Sequence, residues 1–319
     1  MTKGTGKVYR FTLMQLVKNK SNLVVFGILF LLAALAIPVA GIFMGDGEAE
    51  LSSYVEISTV QDFLSSDPVG FDARYNVQYA YSILAMILCV FSVTYIVRSV
   101  VEEKASRLVE MLMVTVQPLA LIFGKLLAVM TYMFSVLLLF IGILLLSWAV
   151  SGRFMDVSFV SDMLSNLGIS SDMMNLGPAV FVTALISLIL AYALFSLIAG
   201  LCGAGCSNMD EVESANMGAM GAILGGYLVS CIAAGMGGTA MTVFSICPVV
   251  SAFTAPAAYI LGDIGFPVLA AGWVLEIACI GVLLAVTARV YNQLILYRGS
   301  RLKMSRVLAL ASGRKGGAQ

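Results

Sequence analysis

A few groupings of side chains in this 319-residue chain have types and spacing that could do chemistry. Glu102-Glu103-x-x-x-Arg107 sets two carboxylates beside a guanidinium, the pattern with which metal-dependent prenyl-protein proteases begin their site. That chemistry also needs histidine ligands on later helices. Cys202 and Cys206 are four residues apart and could share a soft metal, but two thiols without further ligands do not complete a site. Ile260-Leu261-Gly262-Asp263 lacks the first glycine of the Gly-x-Gly-Asp used in intramembrane aspartyl proteolysis, and has no partner aspartate. Gly6-Lys7 and Gly124-Lys125 lack the Gly-x-x-x-x-Gly-Lys-Ser/Thr frame whose backbone amides cradle phosphates. The chain contains no histidine, which removes His general bases, His-bound zinc or haem iron and His-containing triads. The chain is therefore read as not an enzyme, with no catalytic residue and no metal or cofactor of its own.

These residues sit in a chain that is 60% hydrophobic and 11% charged, with a mean hydropathy of +0.99. Such values describe an integral membrane protein rather than a soluble one. Lys plus Arg and Asp plus Glu number 18 each, so net charge gives no reason to expect a nucleic-acid partner. A bilayer core of about 30 Å takes roughly 20 apolar residues to cross. Six predominantly apolar runs are long enough, at 23–43, 78–97, 119–150, 179–206, 217–238 and 266–296. The third and sixth have length to spare for tilting or continuing past the membrane. A further apolar stretch, 243–261, is interrupted by Pro248 and Pro256 and rich in Ser, Thr and Ala. The segment 243–263 is read as an external re-entrant hairpin rather than a span. The expected fold is all-α: one integral membrane domain over 1–319 with six transmembrane helices.

The basic residues orient it. Five Lys and Arg precede the first span, four lie in 98–125 and seven in 289–315, while only Arg74 and Arg153 fall in the other loops. Sixteen against two places both termini, the 98–118 segment and the basic 298–319 tail in the cytoplasm. The loop 44–77 carries seven acids (Asp46, Glu48, Glu50, Glu56, Asp62, Asp67, Asp72) and is placed outside. The short loop around Asp210 is placed inside by counting spans. Within residues 1–22, Tyr9, Leu13, Leu16 and Val17 fall at i, i+4, i+7 and i+8, with Lys7, Arg10 and Lys18 mostly on other faces. An amphipathic helix on the cytoplasmic leaflet fits. A solvated basic tail is the alternative, and a cleaved signal peptide a second one, against which the apolar run continues to Phe43. The six cysteines (Cys89, Cys202, Cys206, Cys231, Cys247, Cys279) lie mostly inside predicted spans and read as small buried hydrophobes.

Between the second and third spans, Glu103 and Arg107 stand at i, i+4 and Arg107 and Glu110 at i, i+3, while Leu108, Met111 and Leu112 form an apolar stripe. Pro118 marks a new segment. A solvated connector whose charges only set topology is the alternative. Glu102-Glu103-Lys104-x-x-Arg107 is followed by Glu110-x-Leu112 and then Pro118 to Lys125. Leu16-Val17-Lys18-Asn19-Lys20 precedes the first span, Cys247-Pro248 to Pro256 precedes the last, and Ala288-Arg289-Val290-Tyr291 leads to the basic tail. In this order and at these places between spans, the chain resembles the membrane subunits of type 2 ABC exporters, particularly sodium-efflux (NatB-like) and related drug and peptide permeases.

The resemblance implies a half-transporter that meets a second copy or a paralogue at a central pathway and is driven by separate ABC ATPase subunits, which would hold ATP and Mg. It assigns Glu102, Glu103, Arg107, Leu108, Glu110 and Met111 to ATPase coupling, with 207–216, including Asp210 and Glu211, as a second cytoplasmic contact. Many sodium-efflux relatives carry a large external domain where this chain has only 44–77. In such families the second and fifth spans line the route, which makes Tyr79, Ser82, Thr94, Tyr95, Gly221 and Gly225 pathway candidates. Gly221-Ala-Ile-Leu-Gly225 is a small-xxx-small pattern that serves either packing within the chain or a subunit interface.

Glu276 lies about ten residues into the last span, near the midplane, where an ionised acid costs about 2.5 to 3.5 kcal/mol. It is expected either to be neutral and bonded to a carbonyl or hydroxyl within 245–254, or to handle substrate or protons. The expected function is the permease subunit of an ATP-driven exporter in the lipid bilayer of the cell membrane. A secondary carrier or channel is the alternative. It would need ion-coupling groups at the midplane, where Glu276 is the only acid well inside a predicted span, and no inverted repeat of the spans is evident.

Overall fold

The structure, a computed structural model, describes residues 4–44, 71–105, 118–154, 178–206 and 208–294. Every regular element among these is helical. In chain order they are α1 (Thr5–Lys18), α2 (Lys20–Met44), α3 (Phe71–Ala105), α4 (Pro118–Ser151), α5 (Pro178–Ala204), a 3-10 turn (Met209–Glu211), α6 (Val212–Met236), α7 (Gly238–Ile246), α8 (Ser251–Ile260) and α9 (Phe266–Leu294). Six of them, α2, α3, α4, α5, α6 and α9, are long and apolar enough to cross a membrane, and they are the six runs expected from the sequence. Pro118 and Pro178 open α4 and α5 at the first helical position, where a missing N–H costs no intrahelical bond.

Helices α3 and α5 pack side by side at the centre, with α6 against both and α9 against α5. Their shared core is built from small and β-branched side chains such as Ala85, Val93, Val97 and Ala191, closed by Phe195 and Phe253. Small residues let backbones approach where lipid offers no hydrophobic reward for association. Helices α1 and α2 pack chiefly on α4, at the edge of the body.

The 243–263 segment forms part of a pair of short helices. Gly237 and Gly238 both take positive φ (60° and 49°), which a side chain would resist, and the chain reverses from α6 straight into α7. A turn carrying Pro248 then leads to α8, held by the Ser251 amide donating to the Cys247 carbonyl at 2.7 Å. With nine and ten residues, α7 and α8 are each about half a bilayer core in length. Residues 251–258 of α8 are all buried, wedged among α3, α5, α6 and α9. Gly226 of α6 and Gly272 of α9 make room for the pair: a Cβ would stand 2.9 Å from the Phe253 ring at Gly226 and 2.6 Å from the Ser245 carbonyl oxygen at Gly272.

Helix α1 forms within the expected 1–22 segment, and of the expected stripe Leu16 is buried and Tyr9 and Leu13 half-buried, while Val17 is exposed together with Phe11 and Met14. Val8 and Thr12 complete the buried face against α4, where Gly124 admits Val8 closely: a Cβ there would meet Val8 at 2.8 Å. The apolar Phe11, Met14 and Val17 stand among Lys7, Arg10 and Lys18.

Candidate functional site

At the ends of α3 and α5, charged side chains from separate segments meet. Arg98 donates to Glu102 at 2.7 Å, one helical turn apart and largely exposed, an arrangement worth little in stability but able to hold Glu102 in place. Lys104 reaches across instead, its Nζ donating to the Ala204 carbonyl at 2.9 Å. Ala204 is the last residue of α5, where unpaired carbonyls carry the negative end of the helix dipole. Burial pulls the Lys104 ammonium below the ordinary lysine pKa, opposed by Cys206 and Glu211. Lys104 thus sits between the end of α3 and the turn that enters α6. Asp210 is exposed in that turn and Glu211 half-buried. Lys125 lies two turns into α4, is 4% exposed and donates to the Ser99 carbonyl at 3.3 Å, so it binds α4 to α3 rather than standing in a loop. Arg107, Leu108, Glu110 and Met111 lie outside the described residues, as do Ser207, residues 45–70 and residues 295–319; Glu103 is described only as part of helix α3.

The pathway candidates divide among different environments. Tyr79 is 42% exposed and stacks on Tyr75, with ring centroids 6.0 Å apart and planes at 12°. Its ring also meets that of Tyr227 on α6 at 6.4 Å. Gly221 and Gly225 open onto the exposed face of the same helix, and a Cβ at either would meet nothing within 4 Å. Among the described residues, it is Gly226 rather than Gly221 or Gly225 whose missing Cβ admits a neighbouring helix. Thr94 bonds back to the Val90 carbonyl of its own helix at 2.9 Å. Tyr95 lies apart from Tyr79: its hydroxyl donates to the Asn22 side chain of α2, and its ring packs edge-on against Tyr132 of α4. Sixteen residues at about 100° each put the two tyrosines on nearly opposite sides of α3.

Ser82 is fully buried in a polar node absent from the sequence reading. The Gln78 side-chain nitrogen stands within hydrogen-bonding distance of three acceptors, Ser82 at 3.0 Å, Ser230 of α6 at 2.8 Å and the Phe253 carbonyl of α8 at 2.7 Å, which share its two N–H groups. Three helices meet at one amide. A Gln four residues before a Ser inside an apolar run was the available signal, but Ser230 and Phe253 are known only from the packing.

Glu276 is 1% exposed, and its Oε1 has no hydrogen-bond partner among the described residues. The bond to 245–254 expected from the sequence is not made by this atom. Ser245 and Ser251, at the turn of the α7–α8 pair, also have unpartnered buried hydroxyls. Among the cysteines, Cys89, Cys202 and Cys206 are buried as expected, while Cys247 is exposed because it occupies the α7–α8 turn rather than a helix. The Cys206 thiol contacts the Cys202 and Glu211 carbonyls at 3.7 and 3.6 Å, so it helps shape the turn into α6.

These arrangements can fasten helices, transmit a displacement and line a route. The family model described as ABC-2 family transporter protein matches residues 49–289, which take in α3 and run almost to the end of α9. No curated protein and no solved structure matches.

Proposed function

The chain belongs to the ABC-2 family of transporter proteins and is a multi-pass membrane protein of the permease-subunit kind. From that premise we propose that it exports its substrate from the cell as one half of a transporter that meets a second copy or a paralogue, with both termini cytoplasmic and residues 45–70 outside, the expected 44–77 loop being shorter because 71–77 already belong to α3. Membrane subunits of this kind are not themselves ATPases, and they normally pair with an ABC ATPase subunit. The ATPase would hold ATP and Mg.

The observation that carries the coupling assignment is the convergence at the ends of α3 and α5. The segment 98–118 begins within α3, whose last turns carry Glu102, Glu103 and Lys104, and Lys104 ties the end of α3 to α5 beside Glu211; Arg107, Leu108, Glu110 and Met111 follow it in the sequence. A push on the 98–118 segment would thereby reach the turn into α6, with Asp210 and Glu211, and so both helices that carry Tyr79, Gly221 and Gly225. In this reading α7 and α8 form the re-entrant hairpin, and α1 lies on the inner leaflet with Phe11, Met14 and Val17 in lipid and its lysines at the headgroups.

The test is co-purification. The wild-type chain is expected to carry an ABC ATPase subunit through detergent purification, and Arg107→Glu to insert normally but carry less of it. One exposed ion pair is worth only about 0.3 to 0.5 kcal/mol, so a large loss would report a contact across the subunit boundary. Unchanged association and unchanged ATP-driven transport would remove Arg107 from the coupling site.

A further inference from the structure

We propose that the outward face of α1 is a binding surface for anionic phospholipid, and that Gly124 and Lys125 of α4 pass the state of that surface to the end of α3. That the lipid belongs to the inner leaflet, and that the end of α3 meets an ATPase, rests on the permease reading above. At about 100° per residue, Lys7, Arg10, Phe11, Met14, Val17 and Lys18 fall within about 120° of the circumference of α1, opposite the buried Val8, Thr12 and Leu16. All six are exposed, Phe11 to 61%. Basic and apolar side chains on one face suit a headgroup boundary, where Phe11, Met14 and Val17 enter the acyl region and the cations reach the phosphates.

Charge selects the kind of lipid. No Asp or Glu occurs before Asp46, so the chain up to that point carries Lys3, Lys7, Arg10, Lys18 and Lys20 and no opposing charge. Helix α1 packs on α4 and, less extensively, on α2, whose only charged residues are Lys125 and Lys20. The last turns of α3 add two charges of each sign, Arg98 bonded to Glu102, then Glu103 and Lys104. A zwitterionic headgroup brings an ammonium of its own to such a surface, whereas an anionic one is attracted without that offset. Position selects a bilayer over an acidic protein. Lys20 opens the spanning helix α2 two residues after α1 ends, and the Asn22 side chain fixes the joint by donating to the Leu16 carbonyl at 3.1 Å. Phe26, Tyr95 and Tyr132 gather at the same joint, as aromatic residues do at membrane interfaces.

The relay consists of two neighbouring residues of α4. Gly124 seats Val8 and the Thr5 carbonyl, which a Cβ would meet at 2.8 and 2.9 Å. Lys125 donates to the Ser99 carbonyl of α3 at 3.3 Å, one turn before Glu102 and Glu103.

The experiment measures amide hydrogen exchange of the full-length chain in nanodiscs of phosphatidylcholine alone and of phosphatidylcholine mixed with phosphatidylglycerol. Phosphatidylglycerol is expected to slow exchange in 5–18 by at least about tenfold and in 98–105 by about threefold, and salt at about 1 M to remove both effects. The triple variant Lys7→Gln, Arg10→Gln, Lys18→Gln, altered only at exposed positions, is expected to lose both. Lys125→Met is expected to keep the effect in 5–18 and lose it in 98–105. Equal exchange of 5–18 in the two kinds of nanodisc would overturn the surface. So would protection by soluble polyglutamate in phosphatidylcholine nanodiscs that matches protection by phosphatidylglycerol, since the partner would then be an acidic protein. Unchanged exchange of 98–105 in the wild-type chain, or a Lys125→Met variant that keeps both effects, would overturn the relay; should that variant misfold, the wild-type comparison still decides. A nanodisc offers the same lipid on both leaflets, so the result does not depend on orientation. A chain protected by phosphatidylglycerol that recruits no ATPase would overturn the permease reading and leave the lipid surface standing.

Discussion

Gln78 donates a 2.8 Å hydrogen bond to Ser230, 152 residues further along the chain, and the same amide reaches the Phe253 carbonyl at 2.7 Å. Helices α3, α6 and α8 are thus fastened at one buried point just below the exposed Tyr79. Movement of α6 against α3 has to break or carry this node. In a lipid-surrounded body no water is at hand to replace it, which makes it the natural pivot of the open face.

Gln78→Leu removes the donor and leaves Ser82, Ser230 and the Phe253 carbonyl to find other partners. A loss of about 1 to 3 kcal/mol is expected, the usual cost of stranding buried polar groups. Thermal unfolding in detergent measures it. Ser230→Ala, which strands less, is expected to cost less. If the two losses add fully in the double variant, the residues are not coupled and the node is not a unit.

Glycines on the two sides of α6 and α9 are expected to behave oppositely. Gly272→Ala drives a Cβ to 2.6 Å from the Ser245 carbonyl, a backbone atom that cannot swing aside, so α9 must shift from α7. About 1 to 3 kcal/mol of stability is expected to be lost. Gly221→Ala and Gly225→Ala meet nothing within 4 Å and are expected to leave the melting temperature of the isolated chain unchanged. A fall in dimer content on native gels for those two alone would place the face between subunits.

Lys104 supplies a pH signature. Its pKa is depressed in the folded state by burial, so between that value and the unfolded value near 10.5 the unfolded chain binds more protons. Stability contributed at this residue therefore rises as pH increases through the folded pKa and levels off above 10.5. Tyrosines and other lysines titrate as well, and the comparison is with Lys104→Met, which lacks the group. The difference in unfolding midpoint, wild type minus variant, is expected to grow from pH 7.5 toward 10.5. A flat or falling difference would mean that Lys104 is not held in a desolvated position.

Glu276 is costly where it stands, with Oε1 buried and unpartnered among the described residues. Glu276→Met, similar in length and without polar atoms, is expected to be at least as stable in detergent as wild type, because an orphaned polar group is removed rather than stranded. Transport is expected to fall, since a residue retained against stability is retained for function. A less stable Met variant would reveal a bond that Glu276 makes after all.

Orientation follows from labelling in a background free of the six native cysteines. A cysteine at Tyr54 is expected to react with an impermeant reagent on intact cells, and one at Asp210, exposed in the turn before α6, only after permeabilisation. Reaction of the Asp210 position from outside would reverse the topology and detach the coupling assignment.

The six helices long enough to cross a membrane and their order were legible in the amino-acid sequence because length and apolarity are local properties, and α4 and α5 announce their starts with Pro118 and Pro178. The resemblance carried by 98–125 and 247–256 pointed to the family that the match over 49–289 shows. Rotation of each helix about its axis was not legible. In a helix apolar on all sides no hydrophobic stripe marks the buried face, so Tyr79 and Tyr95 looked equivalent, yet one faces Tyr227 and the other Asn22. Helix α1 did carry a stripe, of which Tyr9, Leu13 and Leu16 turn inward, while the burial of Val8 depends on Gly124 of a distant segment. The Gln78 node, the reach of Lys104 to Ala204 and the burial of Glu276 were decided only in three dimensions. Each depends on which backbones come close, and that is set by small residues on partner helices a hundred or more positions away.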